Sequence, residues 1–137
     1  MRYPIAYPTV DIIVVREHNG KQQIILGKKP GADKWCFPGG FVEPTDLDFE
    51  AAARRELSEE VTGIEVSNMI YIGSSKIDDE RYQDSPHGII TSIFVTTWED
   101  GEPVAGDDLE QVQWFNEDDV LPHLVNKHKV IFKIFQY

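Results

Sequence analysis

Three glutamates, Glu56, Glu59 and Glu60, stand within five residues of one another, beside Arg54 and Arg55. At about 100° per residue, a helix through this segment gathers the three carboxylates into an arc of roughly 100°. Carboxylates held so close repel each other, and a bound cation offsets that cost. Hard divalent ions such as Mg²⁺ or Mn²⁺ take oxygen ligands of this kind. Zn²⁺ fits less well, because no Cys or His stands at a ligand spacing here. A solvated charged face is the competing reading of any glutamate-rich helix. The Gly39-Gly40 pair just upstream favours the metal, because glycine lets a backbone carbonyl approach the same ions closely.

Several elements must position this cluster. The segment 46–61 reads as a helix, capped by Asp46 or Asp48, favoured by Ala51 to Ala53 and stopped by Gly63. Ala53, Leu57 and Val61 form its apolar stripe. Upstream, residues 9–15 and 22–27 read as strands joined by a turn at His18-Asn19-Gly20. "KKPGADK" (28–34) is a polar loop, and "WCFPGGFV" (35–42) a brief strand with a tight turn. Downstream come one strand or two over 64–77, a polar loop through 78–88, a strand over 89–99 with a loop at Glu99-Asp100-Gly101, and a short strand over 111–115. From Asp118 the spacing is helical, interrupted at Pro122, and residues 123–135 can pack as a terminal helix or meet a second subunit. Strands mixed with helices in one domain, 1–137, predict an α/β or α+β sandwich.

At this point the glutamate segment resembles the Nudix box: a glycine, a glutamate, then Arg-Glu-apolar-x-Glu-Glu and a closing glycine. Gly40 matches the first glycine, "RELSEE" (55–60) the central segment in full, and Gly63-Ile64 the end. Two departures stand out. Counting from Gly40 puts Asp46 at the first glutamate of the pattern, whereas counting back from Arg55 puts Leu47 there. One extra residue also precedes Gly63. The resemblance implies a mixed β-sheet between helices, with the box as loop-helix-loop. It also implies metal-dependent hydrolysis of a nucleoside diphosphate linked to another group. Gly40, Glu56, Glu59 and Glu60 would hold the metal, and Arg55 would orient a glutamate. A carboxylate must take the proton of the attacking water. Glu59 is the candidate within the box; Asp107, Asp108 and Glu110 are the loop candidates, with Glu110 preferred.

The second half narrows the substrate. "IYIGSSKIDDERYQDSPHGIITSIFV" and "GEPVAGDDLEQVQWF" look like the ADP-ribose-type Nudix domains fused to nicotinamide mononucleotide adenylyltransferases, and like related domains of NAD regulators. The chain reads as a stand-alone version, turning ADP-ribose into AMP and ribose 5-phosphate. A cleanser of damaged nucleoside triphosphates is the second enzymatic reading. A non-catalytic ADP-ribose sensor is the third, and the intact glutamates argue against it. Arg81 can meet a phosphate or ribose, with a solvated or salt-bridged arginine as the competing reading. Tyr82, Phe37, Trp35 and Trp114 can stack on adenine, with a place in the core as the commoner fate of an aromatic in a small domain. Lys28 and Lys29 can steer an anionic substrate. His87, His123 and His128 look exposed and receive no role.

Bulk properties agree. The net charge of −11 over 137 residues opposes broad contact with nucleic acid or anionic membrane. A small phosphorylated ligand remains compatible, because a bound cation reverses the local field. With Cys36 as the single cysteine no internal disulfide can form, so a reducing cytoplasm is expected. The apolar run Ile12 to Val15 is too short for a signal peptide or a membrane span. A homodimer is compatible with the apolar C-terminal segment.

Overall fold

Strand β1 (Ala6–His18) organises the molecule, because it pairs on both edges. The computed structural model describes residues 3–137. β1 runs antiparallel to β2 (Lys21–Lys28) and to the short β3 (Gly39–Phe41), and parallel to β6 (Gly88–Ala105). The sheet order is β4-β6-β1-β2-β7, where β4 spans Val61–Val66 and β7 spans Gln111–Asn116. β5 (Ile70–Ile77) adds to β6 as a branch. Residues 18–21 close the β1–β2 hairpin as expected, with Asn19 (φ 53) and Gly20 (φ 79) both left-handed, the requirement of a tight two-residue turn.

Helices cover both faces of this mixed sheet, which is why β1 carries an unbroken apolar run rather than an alternating one. Val10, Ile12 and Val14 pack with Ala52, Ala53 and Leu57 of α1 (Phe49–Glu60). Ile13 points the other way, into a core shared with Val120 of α2 (Glu117–His123) and with Ile131 and Phe132 of α3 (Lys129–Gln136). The expected sandwich of a sheet between helices is therefore present. Among the described residues no helix is long and apolar enough to cross a membrane.

Several boundaries differ from the sequence reading. α1 begins at Phe49, not Asp46, because Asp48 caps it: its Oδ1 accepts the Ala51 N–H at 2.7 Å. The helix does not need Gly63 to stop. Val61 is already extended (φ −126, ψ 103), so the chain passes directly into β4. Gly63 (φ 83) lies within that strand, at a register shift opposite Glu102 and Pro103. Segment 64–77 divides into β4 and β5. The loop expected at Glu99-Asp100-Gly101 is part of β6 instead. β6 is long because its first part pairs with β5 and its second with β4, and Gly101 (φ 92) supplies the local bend.

Candidate active site

The glutamate cluster is assembled where β3, α1 and the loop before β7 meet. β3 is held by β1 in the register Val10↔Gly40 and Asp11↔Gly39. Its Gly39 N–H donates to Glu60 Oε1 at 2.7 Å, joining the turn to the last residue of α1. The two glycines are tight for different reasons. A Cβ on Gly39 would fall 2.1 Å from the Val10 carbonyl oxygen, and one on Gly40 would fall 2.6 Å from the Glu56 carboxylate. At the other end of the helix-to-strand junction, Gly106 N–H donates to the Glu60 carbonyl at 2.9 Å, which draws the loop of Asp107 and Asp108 up to the glutamates.

Arg55 is the hub of the charges. Its Nε and Nη2 grip Asp46 at 2.9 Å each, its Nη2 donates to the Phe41 carbonyl at 3.1 Å, and its Nη1 donates to Glu56 Oε1 at 3.0 Å. A weaker contact, 3.3 Å, reaches Glu59. This settles the irregular loop: Asp46 is the acidic partner of the box arginine, and Leu47, 91% exposed, is not. The Arg55 hydrogen bonds hold the Asp46 carboxyl down at about 2. Burial works in the opposite direction on Glu56 and Glu60. It raises Glu56 from its ordinary value and pushes Glu60, 7% exposed, up to about 7.

Oxygen donors and a metal's needs match here. Gly40 leaves room for a carboxylate against the backbone, and Glu60 is a desolvated carboxylate for which a cation would compensate. Among the described residues no three acidic, His or Cys side chains converge as a ready-made metal centre. The reason is visible: Glu56 is turned to the Arg55 guanidinium and Glu60 to the Gly39 amide.

The glutamates form one wall of a cleft of about 1040 Å³. Lys29, Lys76, Arg81 and Lys127 contribute cations to the same cleft, in a protein of net charge −11. Arg81 is clamped by the buried carboxylate of Asp79, Nε to Oδ1 at 2.9 Å and Nη2 to Oδ2 at 2.8 Å. Lys127 Nζ approaches the same carboxylate at 3.4 Å. The Arg81 guanidinium lies 5.1 Å from the centre of the Phe41 ring.

The substrate residues expected from sequence divide. Arg81 lines the cleft and is exposed. Phe37 touches the cleft but is 2% exposed, so its ring belongs to the core and is not free to stack on a base. Tyr82 is half-buried beside Tyr7, with ring centres 5.6 Å apart, and is not among the lining residues. Trp35 packs edge-on against Phe115, and Trp114 lies under Arg16. Lys29 lines the cleft, whereas Lys28 sits over Trp35. Glu110 lies outside the cleft, because its N–H is tied to the Lys28 carbonyl at the start of β7; Asp107 and Asp108 are the loop acids that line it. Phe41 was missed. It stands two residues after Gly39 on a strand, hence on the same side, which is the signal that marks it. His128 was expected to be exposed and without role; it is 8% exposed and accepts the Phe37 N–H at 3.0 Å.

A sheet between helices, with a glycine turn facing a helix that carries Arg-Glu-x-x-Glu-Glu, defines a class. A family model described as "NUDIX domain" matches residues 7–135. The chain belongs to this family, the Nudix hydrolases, which depend on divalent metal ions. It is 32% identical over 131 residues to the ADP-ribose pyrophosphatase of Methanocaldococcus jannaschii, covering 93% of this chain and 72% of that protein. Two solved structures share the fold. One is the NUDIX domain of Shewanella oneidensis NrtR in complex with ADP ribose (TM-score 0.77, 17% identity, 98% of this chain and 88% of that one). The other is the bifunctional NMN adenylyltransferase/ADP ribose pyrophosphatase of Francisella tularensis in complex with AMP and a manganese ion (TM-score 0.65, 23% identity, 99% of this chain and 43% of that one).

Proposed function

We propose that this protein hydrolyses ADP-ribose to AMP and ribose 5-phosphate, with Mg²⁺ or Mn²⁺ as the metal. The observation that carries the reading is the two-signed cleft. Glu56, Glu59 and Glu60 face it from α1, and Lys29, Lys34, Lys76, Arg81 and Lys127 bring cations to it, the last two shared with the buried Asp79 carboxylate. A pyrophosphate flanked by two sugars needs both kinds of wall. The relatives named for ADP-ribose support the same substrate.

Gly40, Glu56, Glu59 and Glu60 would hold the metal, which supplies charge neutralisation of the pyrophosphate and a more acidic water when bound. The residues of the chain do the rest. Arg81 pairs with a phosphate or ribose oxygen from a position fixed by Asp79. Arg55 orients Glu56 by a 3.0 Å hydrogen bond and ties it to the Asp46 loop. Glu59 is the general base: it is the most exposed of the three, with a side chain 44% accessible, and its Arg55 contact is the weakest of that residue's hydrogen bonds. A second copy of the chain is proposed to cover the apolar strip of Ile70, Ile72, Val95, Ile134 and Phe135. The mass in solution tests that point.

Hydrolysis of ADP-ribose and of an oxidised dGTP, each with Mg²⁺ or Mn²⁺, tests the substrate. AMP and ribose 5-phosphate from ADP-ribose are the expected products, and Glu59→Gln is expected to lose roughly 10²- to 10⁴-fold in kcat. Rapid triphosphate turnover beside a negligible ADP-ribose rate would favour the nucleotide-cleansing reading. Tight ADP-ribose binding in Mn²⁺ with no product would favour a sensor.

A further inference from the structure

A second polar cluster lies under the glycine turn, and the reaction proposed above makes no use of it. The Phe37 N–H donates to His128 Nδ1 at 3.0 Å, and the His128 ring stacks on the Phe37 ring, 5.7 Å between centres at an interplanar angle of 17°. Because Nδ1 accepts, the ring proton sits on Nε2. Nε2 faces Asp11 Oδ1 at 3.6 Å, a charge–dipole contact longer than a hydrogen bond. Asp11 Oδ2 accepts the Thr91 hydroxyl at 2.6 Å. Asp11, Thr91 and His128 are all buried, and they come from β1, β6 and the turn that opens α3.

The location explains the cluster. The N–H groups of residues 35, 37 and 39 each find a different kind of acceptor. Trp35 N–H donates to the His123 carbonyl at 2.8 Å, and Gly39 N–H donates to Glu60 Oε1 at 2.7 Å. Between them the neighbouring chain has left its extended path for the 3-10 turn Asn126–His128, so Phe37 N–H takes an imidazole nitrogen in place of a carbonyl. Asp11 presses on the same segment with its backbone. It pairs with Gly39, Ile12 N–H donates to the Pro38 carbonyl at 2.9 Å, and a Cβ on Gly39 would lie 2.8 Å from Asp11 Oδ1. The Asp11 backbone and its carboxylate thus both lie against the turn.

We propose that His128, braced by Asp11 and Thr91, is a positioning residue that sets segment 37–40 so that the Gly39 amide and the Gly40 carbonyl meet the glutamates of α1. The proposal rests on the reading of Gly40, Glu56, Glu59 and Glu60 as metal ligands. Groups that orient ligands without touching the ion typically change metal affinity about 10- to 100-fold when removed. A His128 that merely satisfies a core amide makes a different forecast: lower stability with unchanged metal affinity.

The test uses the full chain and Mn²⁺ alone, with free Mn²⁺ read by electron paramagnetic resonance, and then ADP-ribose kinetics with kcat and KM resolved. Leu at 128 removes the acceptor, whereas Asn carries an oxygen near the place of Nδ1. His128→Leu is expected to weaken Mn²⁺ binding about ten-fold and to lower kcat with KM within about two-fold. His128→Asn is expected to return to within about three-fold of the parent. Thr91→Val, which loosens Asp11, is expected to weaken Mn²⁺ about three-fold. Parent-like Mn²⁺ affinity in folded His128→Leu overturns the proposal. Should that variant fail to fold, Thr91→Val decides, and parent-like affinity there overturns it. Glu60→Gln separates the two readings. Unchanged affinity in it overturns the metal site itself, while a loss there beside no loss in the His128 and Thr91 variants overturns the positioning role alone.

Discussion

Arg55 holds Asp46 by two parallel hydrogen bonds of 2.9 Å, Nε to Oδ1 and Nη2 to Oδ2. The same guanidinium donates to the Phe41 carbonyl and to Glu56, so one side chain ties the loop, the turn and the helix together. Bidentate pairing of this kind fixes geometry as well as charge. Asp46→Asn keeps the shape but loses the charge and one acceptor. It is expected to lower kcat/KM roughly ten-fold, with Asp46→Ala worse, measured by steady-state kinetics on ADP-ribose. Parent-like rates in both variants would remove Asp46 from the site.

The two glycines of the turn should fail in different ways. A Cβ at Gly39 meets backbone, 2.1 Å from the Val10 carbonyl oxygen, so Gly39→Ala is expected to fold poorly or not at all. A Cβ at Gly40 meets the movable carboxylate of Glu56 at 2.6 Å. Gly40→Ala should therefore fold, with kcat reduced on the order of 100-fold because the proposed ligand Glu56 is displaced. Circular dichroism melts beside kinetics distinguish these outcomes.

Asp79 gives a pH-dependent stability. Its carboxyl is buried, and the Arg81 hydrogen bonds hold it well below the usual carboxylate range. A depressed folded pKa stabilises above the unfolded value near 3.8, and the contribution is lost as pH falls through the folded one. Asp79→Asn should thus melt below the parent at pH 7, and the gap should narrow as pH drops below about 4. A gap that stays constant down to pH 2.5 or so would contradict this assignment.

Cys36 should be a quiet thiol despite lining the cleft. Burial pushes it up from 9.0 to about 11, so at pH 8 it carries roughly one hundredth of the ordinary thiolate. Alkylation by iodoacetamide at pH 8 is expected to be about 100-fold slower in the native protein than in denaturant. Equal rates would show that the thiol is open to solvent.

Glu110 and Asp107 make a matched pair. Asp107 takes a left-handed backbone (φ 46) that fits its short side chain and lines the cleft, whereas Glu110, whose backbone N–H donates to the Lys28 carbonyl, is not among the residues that line it. Glu110→Gln is expected to stay within about two-fold of the parent in kcat, and Asp107→Asn to lose roughly ten-fold through the altered field at the glutamates. The reverse order would restore Glu110 as the loop carboxylate of the reaction.

By itself the sequence determined what depends on neighbours along the chain. The spacing of Glu56, Glu59 and Glu60 gathers them on one arc of α1, and Ala53 and Leu57 put the adjoining stripe on the sheet, because helical period is local. The hairpin at Asn19-Gly20 was legible for the same reason, since few residues accept two left-handed positions. The tertiary structure decided what depends on distant partners. Whether Asp46 caps a helix or binds Arg55 turns on where the loop lies against Phe41. Nothing near Phe37 in sequence reveals that His128 receives its amide from 91 residues away, or that its ring is thereby core rather than substrate platform. Nor does a Glu-Asp-Gly triplet disclose that β4 waits alongside to keep β6 extended. Each of these is a choice between locally acceptable states, and long-range packing and hydrogen bonding make it.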